Sequence, residues 1–224
     1  CLAQNLRDES DPAIIAESLE DILLQAQRIS DILQTLVSFS RGGPPEGQRY
    51  TAFSLRACVM AAQHLVQLSH ARDSTRYLNQ CPDDLMLEGD EQRLQQVFVN
   101  LLNNARDASP AGGSIEISVQ VLADEVLEIH IGDHGKGIAL ELQERVFEPF
   151  FTTKEAGKGT GLGLSVVYNI IRNHGGNIRI HSQPGQGTDV VIRLPLRQPT
   201  CQEGPLTFES AIGRVSPKEN PVRE

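Results

Sequence analysis

The hydrophobic residues near the start of the chain recur at helical spacing. Apolar residues there follow one another at steps of three and four: Ile15, Leu19, Ile22, Ala26, Ile29, Leu33 and Leu36. This spacing predicts the seam of a coiled coil or helical bundle. We expect residues 1–41 to form part of an antiparallel helical hairpin that pairs with another chain, with a core helix of the same domain as the alternative. A Gly-Gly-Pro-Pro run then begins a linker over 42–49.

From Tyr50 onward, short apolar runs alternate with amphipathic segments, which is typical of an α/β domain. The pattern predicts strands at 50–53, 76–81, 85–88, 115–121, 126–131, 178–181 and 190–194. It predicts helices at 55–69, 89–108, 140–144 and 161–174, the last ended by Gly175-Gly176. We assign 50–196 to this domain. Residues 197–224 are polar with four prolines and are predicted to form a flexible tail.

Composition narrows the class of protein. Of 224 residues, 39% are hydrophobic and 22% charged, as in ordinary globular proteins. The net charge of −9 argues against nucleic-acid binding, which requires clustered Lys and Arg. No apolar run approaches the roughly eighteen residues of a membrane span, and there is no secretory leader. Four widely spaced cysteines indicate reduced thiols and a cytoplasmic setting. The first residue, Cys1, suggests a fragment of a longer parent, for which membrane attachment stays open.

Two glycine turns carry the candidate chemistry. Residues 159–165 place three alternating glycines directly before an apolar helical run, so a flexible turn leads into a helix N-terminus, where backbone N–H groups attract phosphate. Residues 133–137 end an apolar strand with the carboxylate of Asp133, a fixed acceptor for an exocyclic amine such as that of adenine. The P-loop, dinucleotide and protein-kinase motifs are absent. The order of the two turns therefore predicts a different kind of nucleotide site.

Polar residues interrupt the apolar face of the helix predicted at 89–108. Asn100 and Asn104 lie one turn apart on one face, although asparagine is a poor residue for a helix interior. Their amide oxygens suit a hard cation or a phosphate-bound water, and a solvated surface is the alternative. Asn103 lies beside them.

Three of the seven phenylalanines fall within 147–151, ahead of a stretch, 152–158, that has no large apolar residue. We interpret the aromatic residues as a plug that anchors a mobile lid. Lys154 and Lys158 on that lid are candidates to screen phosphate charge, with plain solvation as the alternative.

These motifs together resemble a known superfamily. Asn100-Leu-Leu-Asn-Asn-Ala is similar to the N box of the GHKL ATPases, Asp133-x-Gly-x-Gly to the G1 box, Phe147-Glu-Pro-Phe to the F box, and Gly159-Thr-Gly-Leu-Gly-Leu to the G2 box. The F box points within this superfamily to bacterial sensor histidine kinases. The Phe-Phe-Thr-Thr-Lys segment resembles the nitrogen-regulation and dicarboxylate-sensor branch.

The resemblance implies a Bergerat α/β sandwich, with helices on one face of a mixed sheet, preceded by a helical dimerisation arm. It implies that Asp133 accepts the adenine amino group, helped through water by Thr188, and that Asn104 holds Mg²⁺ between the phosphates of ATP. The G2 backbone would cradle the phosphates. The full set of implied ATP-site residues is Asn100, Asn104, Asp133, Gly135, Gly137, Ile138, Lys154, Lys158, Gly159, Thr160, Gly161, Leu162, Gly163, Leu164 and Thr188.

The implied function is phosphorylation of a histidine upstream of residue 1, in a homodimer held by the arm, for relay to a response-regulator receiver domain.

Three features depart from the family. Asp107 stands where Lys or Arg is common, with Arg106 adjacent. Asn100 replaces the Glu of hydrolysing relatives, which favours transfer over hydrolysis because an amide cannot accept the proton. The phosphoacceptor motif is absent around every histidine: His64, His70, His130, His134, His174 and His181. A nucleotide-sensing scaffold and a GHKL hydrolase are the alternatives.

Overall fold

The computed structural model describes residues 50–69, 74–155 and 159–197 of the chain. The helical hairpin predicted for 1–41, the linker 42–49 and all but the first residue of the predicted tail lie outside the described residues. The domain predicted from Tyr50 to residue 196 lies within them, apart from two short gaps.

Five strands form one mixed sheet, and two further strands pair separately. The strands are β1 (Thr51–Ser54), β2 (Arg76–Asn79), β3 (Met86–Gly89), β4 (Ser114–Val121), β5 (Val126–Asp133), β6 (Asn177–Gln183) and β7 (Gly187–Pro195). The sheet has the order β2-β4-β5-β7-β6, with β2 parallel to β4 and every other pair antiparallel. The pair β1–β3 is antiparallel.

Three α-helices cover one face of this sheet: α1 (Leu55–Ser69), α2 (Glu91–Ala108) and α3 (Gly163–Asn173). Helix α2 is the central one, because it packs on both other helices and contacts β4, β5 and β7. It begins two residues later than predicted, because the Asp90 carboxylate accepts the N–H of Arg93 at 3.1 Å and caps the helix. The helix predicted at 140–144 is instead two 3-10 turns, Leu140–Leu142 and Arg145–Phe147.

Alternation along β5 explains why the helices lie on one face only. Leu127, Ile129 and Ile131 are at most 1% exposed and face the helices, while the residues between them face outward. The registers place Ile117 and Ile192 level with them on the neighbouring strands. The predicted mixed sheet with helices on one face is therefore confirmed.

The outward face of the sheet carries a charged network in place of apolar packing. Glu128 accepts hydrogen bonds from Arg193 at 2.5 Å and from Gln120 at 2.6 Å, which lower the pKa of its carboxyl to about 2. His130 bridges Glu128 at 3.2 Å and Asp189 at 2.9 Å. Burial tends to lower the pKa of this imidazole, but hydrogen bonds to the two carboxylates raise it overall.

Cys58 and Cys81, the cysteines within the described residues, are free and buried. Burial raises the pKa of their thiols to about 12 and about 11. Both thiols are therefore protonated at neutral pH, and the other two cysteines, Cys1 and Cys201, lie outside the described residues.

Candidate nucleotide-binding site

A cavity of about 940 Å³ opens between α2, the turn that follows β5, and two segments that precede α3, residues 151–155 and 159–161. This volume lies within the roughly 300–1,000 Å³ usual for small-molecule sites. The turn after β5 and the turn before α3, which the sequence had singled out, lie on the same cavity. No group of three or more His, Cys, Asp and Glu side chains in the described part of the chain is arranged to hold a metal.

The cavity brings together most of the residues predicted for the site. Those that line it are Asn100, Asn104, Asp133, Gly137, Ile138, Lys154, Gly159, Thr160, Gly161, Gly163, Leu164 and Thr188. Gly135 and Leu162 do not line it, because Gly135 packs against the Ala108 carbonyl and Leu162 is 1% exposed at the start of α3. Helix α3 begins at Gly163, two residues later than predicted. Lys158 lies outside the described residues.

Asp133 is a fixed, buried acceptor at the end of β5. Its side chain is 8% exposed, and Oδ1 accepts the N–H of Gly135 at 2.8 Å. Burial raises the pKa of this carboxyl, and hydrogen bonds from the N–H groups of Gly135 and Thr188 offset the rise only in part. An acceptor held this rigidly suits one specific donor, such as an exocyclic amine.

Ser182 does not line the cavity, but it supports two residues that do, Ile138 and Thr188, and sequence reasoning missed it. Its Oγ accepts the N–H of Ile138 at 2.8 Å and donates to the Gly187 carbonyl at 2.8 Å. Because that hydroxyl has one proton, Thr188 Oγ1 must donate to it across their 2.9 Å contact. The lone pairs of Thr188 then remain available to a water or ligand. The β6–β7 register pairs Ser182 with Thr188, but the predicted strand ended at His181, two residues before the end of β6, and so left Ser182 out.

The asparagines of α2 face the turn before α3. Asn100 Nδ2 donates to the Gly163 carbonyl at 3.4 Å, so this amide bridges α2 to the start of α3. Asn103 also lines the cavity, and its Oδ1 is buried without a hydrogen-bond partner among the described residues. A buried acceptor of this kind costs free energy unless a water or ligand donates to it. The polar lining therefore fits a hydrated, ligand-binding site.

Charged side chains occupy the side of the cavity near Lys154. Lys154 Nζ lies 2.5 Å from Asp107 Oδ2, and Arg106 donates to Oδ1 of the same carboxylate at 2.6 Å. Burial tends to raise the pKa of Asp107, but the hydrogen bonds from Lys154 and Arg106 lower it overall. Asp107 is therefore ionised at neutral pH and is bonded to both cations.

The predicted aromatic plug is only partly correct. Phe147 packs against the core and on Tyr168, with ring centroids 5.7 Å apart, and Arg145 stacks 4.6 Å from the Phe151 ring. Phe150 instead is 67% exposed. It adopts a φ of 69°, and its N–H donates to the Gly161 carbonyl at 2.9 Å. This left-handed turn directs the ring toward solvent.

Gly161 supports the opposite side of that turn. Its φ is 67°, and a Cβ placed on it would lie 2.4 Å from the carbonyl carbon of Phe150. Only glycine allows this contact between the two backbones. The turn before α3 and the end of the F box are therefore held together at Gly161.

His174 fastens the C-terminus of α3 to the N-terminus of α2. Its Nδ1 donates to the Ile170 carbonyl at 2.8 Å, and Nε2 accepts the Asp90 N–H at 3.0 Å. Burial to 1% exposure lowers the pKa of the imidazole, and the bond to Ile170 opposes this only in part. A neutral ring with its proton on Nδ1 satisfies both bonds. His174 therefore holds in register the two helices that line the cavity.

Comparison with known proteins agrees with this geometry. Residues 89–198 match the family described as histidine kinase-, DNA gyrase B- and HSP90-like ATPase. The catalytic domain of the histidine kinase ThkA is 30% identical, with a TM-score of 0.59 over 66% of this chain and 97% of that domain. The chain belongs to the histidine kinase family. It contains a catalytic domain of the GHKL superfamily, which confirms the superfamily that the four boxes indicated.

Two further relatives extend the comparison. The signal transduction histidine-protein kinase AtoS of Escherichia coli is 36% identical over 86% of this chain and 31% of its own length. A complex of ThkA with the response regulator TrrA is 24% identical and shares the fold, with a TM-score of 0.67 over 87% of this chain and 55% of that one. The chain spans a fifth to a third of the first curated relatives that it matches. Among the described helices, none has the length and apolar character to cross a membrane.

Proposed function

We propose that this catalytic domain binds Mg·ATP in the 940 Å³ cavity and donates the γ-phosphoryl group to a histidine outside the domain. The observation that carries the proposal is the convergence of Asp133, Asn100 and Asn104, and the turn at 159–163 on that one cavity. Asp133 would accept the adenine amino group, with Thr188 assisting through water. Asn104 would hold Mg²⁺, which would supply charge neutralisation at the phosphates, and Lys154 would add a second positive charge.

The phosphoacceptor is proposed to come from outside this domain. None of the described histidines lines the cavity. In the transfer, an imidazole nitrogen forms the P–N bond while the bond from the γ-phosphorus to the β,γ-bridging oxygen breaks, and ADP leaves with that oxygen. The domain contributes positioning and screening of charge and forms no covalent intermediate.

Asn100 argues against a hydrolytic function. It donates its amide to the Gly163 carbonyl, and an amide cannot take the proton of an attacking water.

In the longer protein, we propose that residues 1–41 mediate a homodimer, that a response-regulator receiver domain takes the phosphoryl group, and that the domain works in the cytoplasm. The crystallised complex of ThkA with TrrA supports that partner class. The assignment to the nitrogen-regulation and dicarboxylate-sensor branch remains a prediction.

Titration with Mg·ATP tests the nucleotide site. Asp133→Ala and Asn104→Ala should each lose on the order of 1–3 kcal/mol of binding free energy, or roughly 5- to 150-fold in Kd. Asp83→Asn, which alters an 88% exposed carboxylate paired with Arg56, should bind as the wild type does. Unchanged titrations for both site variants would refute the proposed site.

A second experiment tests the transfer. The chain is mixed with a separate helical bundle that carries a phosphoacceptor histidine, together with ATP labelled on the γ-phosphate. Label on the bundle supports the kinase. Tight binding without label supports the nucleotide-sensing scaffold instead, and steady release of phosphate would favour a hydrolase.

A further inference from the structure

One carboxylate on α2 is bound to two cations, of which only one faces the cavity. Asp107 Oδ2 lies 2.5 Å from Lys154 Nζ, and Oδ1 accepts from Arg106 Nη2 at 2.6 Å and from Nε at 3.2 Å. Asp107 and Lys154 line the cavity, whereas Arg106 does not. The Arg106 side chain is 11% exposed and lies behind the carboxylate. The three side chains carry a net charge of +1.

The position of the positive charge in this group matters for an anionic ligand. Arg106 offsets the charge of Asp107 from outside the cavity, so this group of three side chains presents the positive charge of Lys154 to the cavity. Lysine has a flexible four-carbon chain, so an unrestrained ammonium at this position would sample many rotamers. The ion pair restricts it to the wall formed by α2, beside Asn103 and Asn104.

We propose that Asp107 is a positioning residue that holds Lys154 at the triphosphate end of the nucleotide site. Helix α2 has an aspartate and not a basic residue at position 107. The positive charge is supplied instead by Lys154, which follows Phe151 in the chain and is fixed to α2 through the Asp107 carboxylate. Arg106 prevents Asp107 from repelling the phosphates. This inference rests on the proposed nucleotide site.

Binding of Mg·ATP and of AMP, each by equilibrium titration, tests the assignment. Lys154→Met should weaken Mg·ATP about tenfold, as expected for a partly exposed charge on phosphate, and should leave AMP within about twofold. Asp107→Asn should also weaken Mg·ATP, by about three- to fivefold, and spare AMP, because the amide no longer holds the ammonium in place. Asp83→Asn, an ion-paired aspartate outside the cavity, should change neither ligand.

A rescue variant separates positioning from a structural role. Asp107→Lys combined with Lys154→Met transfers the cation to α2, and it should restore the Kd for Mg·ATP to within about threefold of the wild type. Melting curves without nucleotide identify any variant that fails to fold.

Two outcomes would overturn the assignment. Equal or tighter binding of Mg·ATP by Asp107→Asn would mean that the carboxylate competes with phosphate for Lys154. Equal losses for ATP and AMP in Lys154→Met would mean that the lysine does not act at the triphosphate. If the wild type does not bind Mg·ATP, or if Asp133→Ala binds it unchanged, the proposed nucleotide site fails instead.

Discussion

Gly161 joins the turn before α3 to the end of the F box through a close backbone contact with Phe150. Replacing it with alanine has two separable effects. The residue keeps a φ of 67°, which costs an L-residue roughly 1–2 kcal/mol. In addition, the new Cβ would lie 2.4 Å from the Phe150 carbonyl carbon and 2.6 Å from its oxygen, so one of the two backbone segments must move.

The second effect can be isolated with a matched glycine. Gly185, in the β6–β7 turn, has a φ of 77°, and apart from its two chain neighbours no described residue lies within 4 Å of the position that an alanine methyl group would take there. Gly185→Ala therefore incurs the cost of φ without a clash, and both substitutions reduce the conformational entropy of the unfolded chain by the same amount. The difference between the two variants should be the clash, about 1–3 kcal/mol in the free energy of unfolding.

Urea denaturation with linear extrapolation measures this difference. Gly161→Ala should also weaken Mg·ATP binding, because the turn at 159–163 lines the cavity, whereas Gly185→Ala should bind nucleotide normally. Equal unfolding free energies for the two variants, together with equal nucleotide affinities, would refute the argument that Gly161 joins the turn to the F box.

Three further predictions concern titratable groups. His174→Asn should lower the free energy of unfolding by about 2–4 kcal/mol in urea, because a buried ring and the acceptor of the Asp90 N–H are lost, whereas the exposed His64→Asn should change it little. His130→Gln should remove a stabilisation that the wild type has in full below about pH 6.5 and loses as pH rises through the raised pKa of His130, measured by urea midpoints across pH. Nucleotide affinity, by calorimetry, should fall as pH drops through the raised pKa of Asp133, and Asp133→Asn should show no such fall.

Each of these has a result that contradicts it. Equal stabilities of the His174 and His64 variants would show that the bridge between α2 and α3 contributes nothing. Parallel pH profiles for wild type and His130→Gln would show that protonation of His130 does not stabilise the fold. Burial lowers the pKa of His174, so this residue changes the stability with pH in the opposite direction to His130. Both the wild type and His130→Gln contain His174, so its contribution cancels when their pH profiles are compared. The same pH slope in Asp133→Asn would exclude that carboxylate as the titrating group.

Much of the fold could be predicted from local patterns. The alternation of Leu127, Ile129 and Ile131 defined a strand and its buried face, and Asp90 before an amphipathic run defined the start of α2. These signals are readable because they depend on spacing within one element. The one short helix that was wrong, at 140–144, had too few residues to carry a helical period.

The residues of the candidate site also divide into those that a local pattern predicts and those that it does not. Asp133, Asn104 and the turn around Gly161 were found because each lies in a motif that is contiguous along the chain. Ser182 was missed because its importance comes from its partner across the β6–β7 hairpin, Thr188.

By itself, the sequence determined the order of strands and helices, the motifs of a GHKL nucleotide site and the absence of an acceptor motif around its own histidines. Only the tertiary structure decided that Lys154 reaches Asp107, 47 positions away, that Phe150 faces solvent, and that His174 links two helices. The physical reason is that these contacts depend on the register and separation of elements that pack together. Local periodicity records which face of an element is buried but not which polar groups meet there.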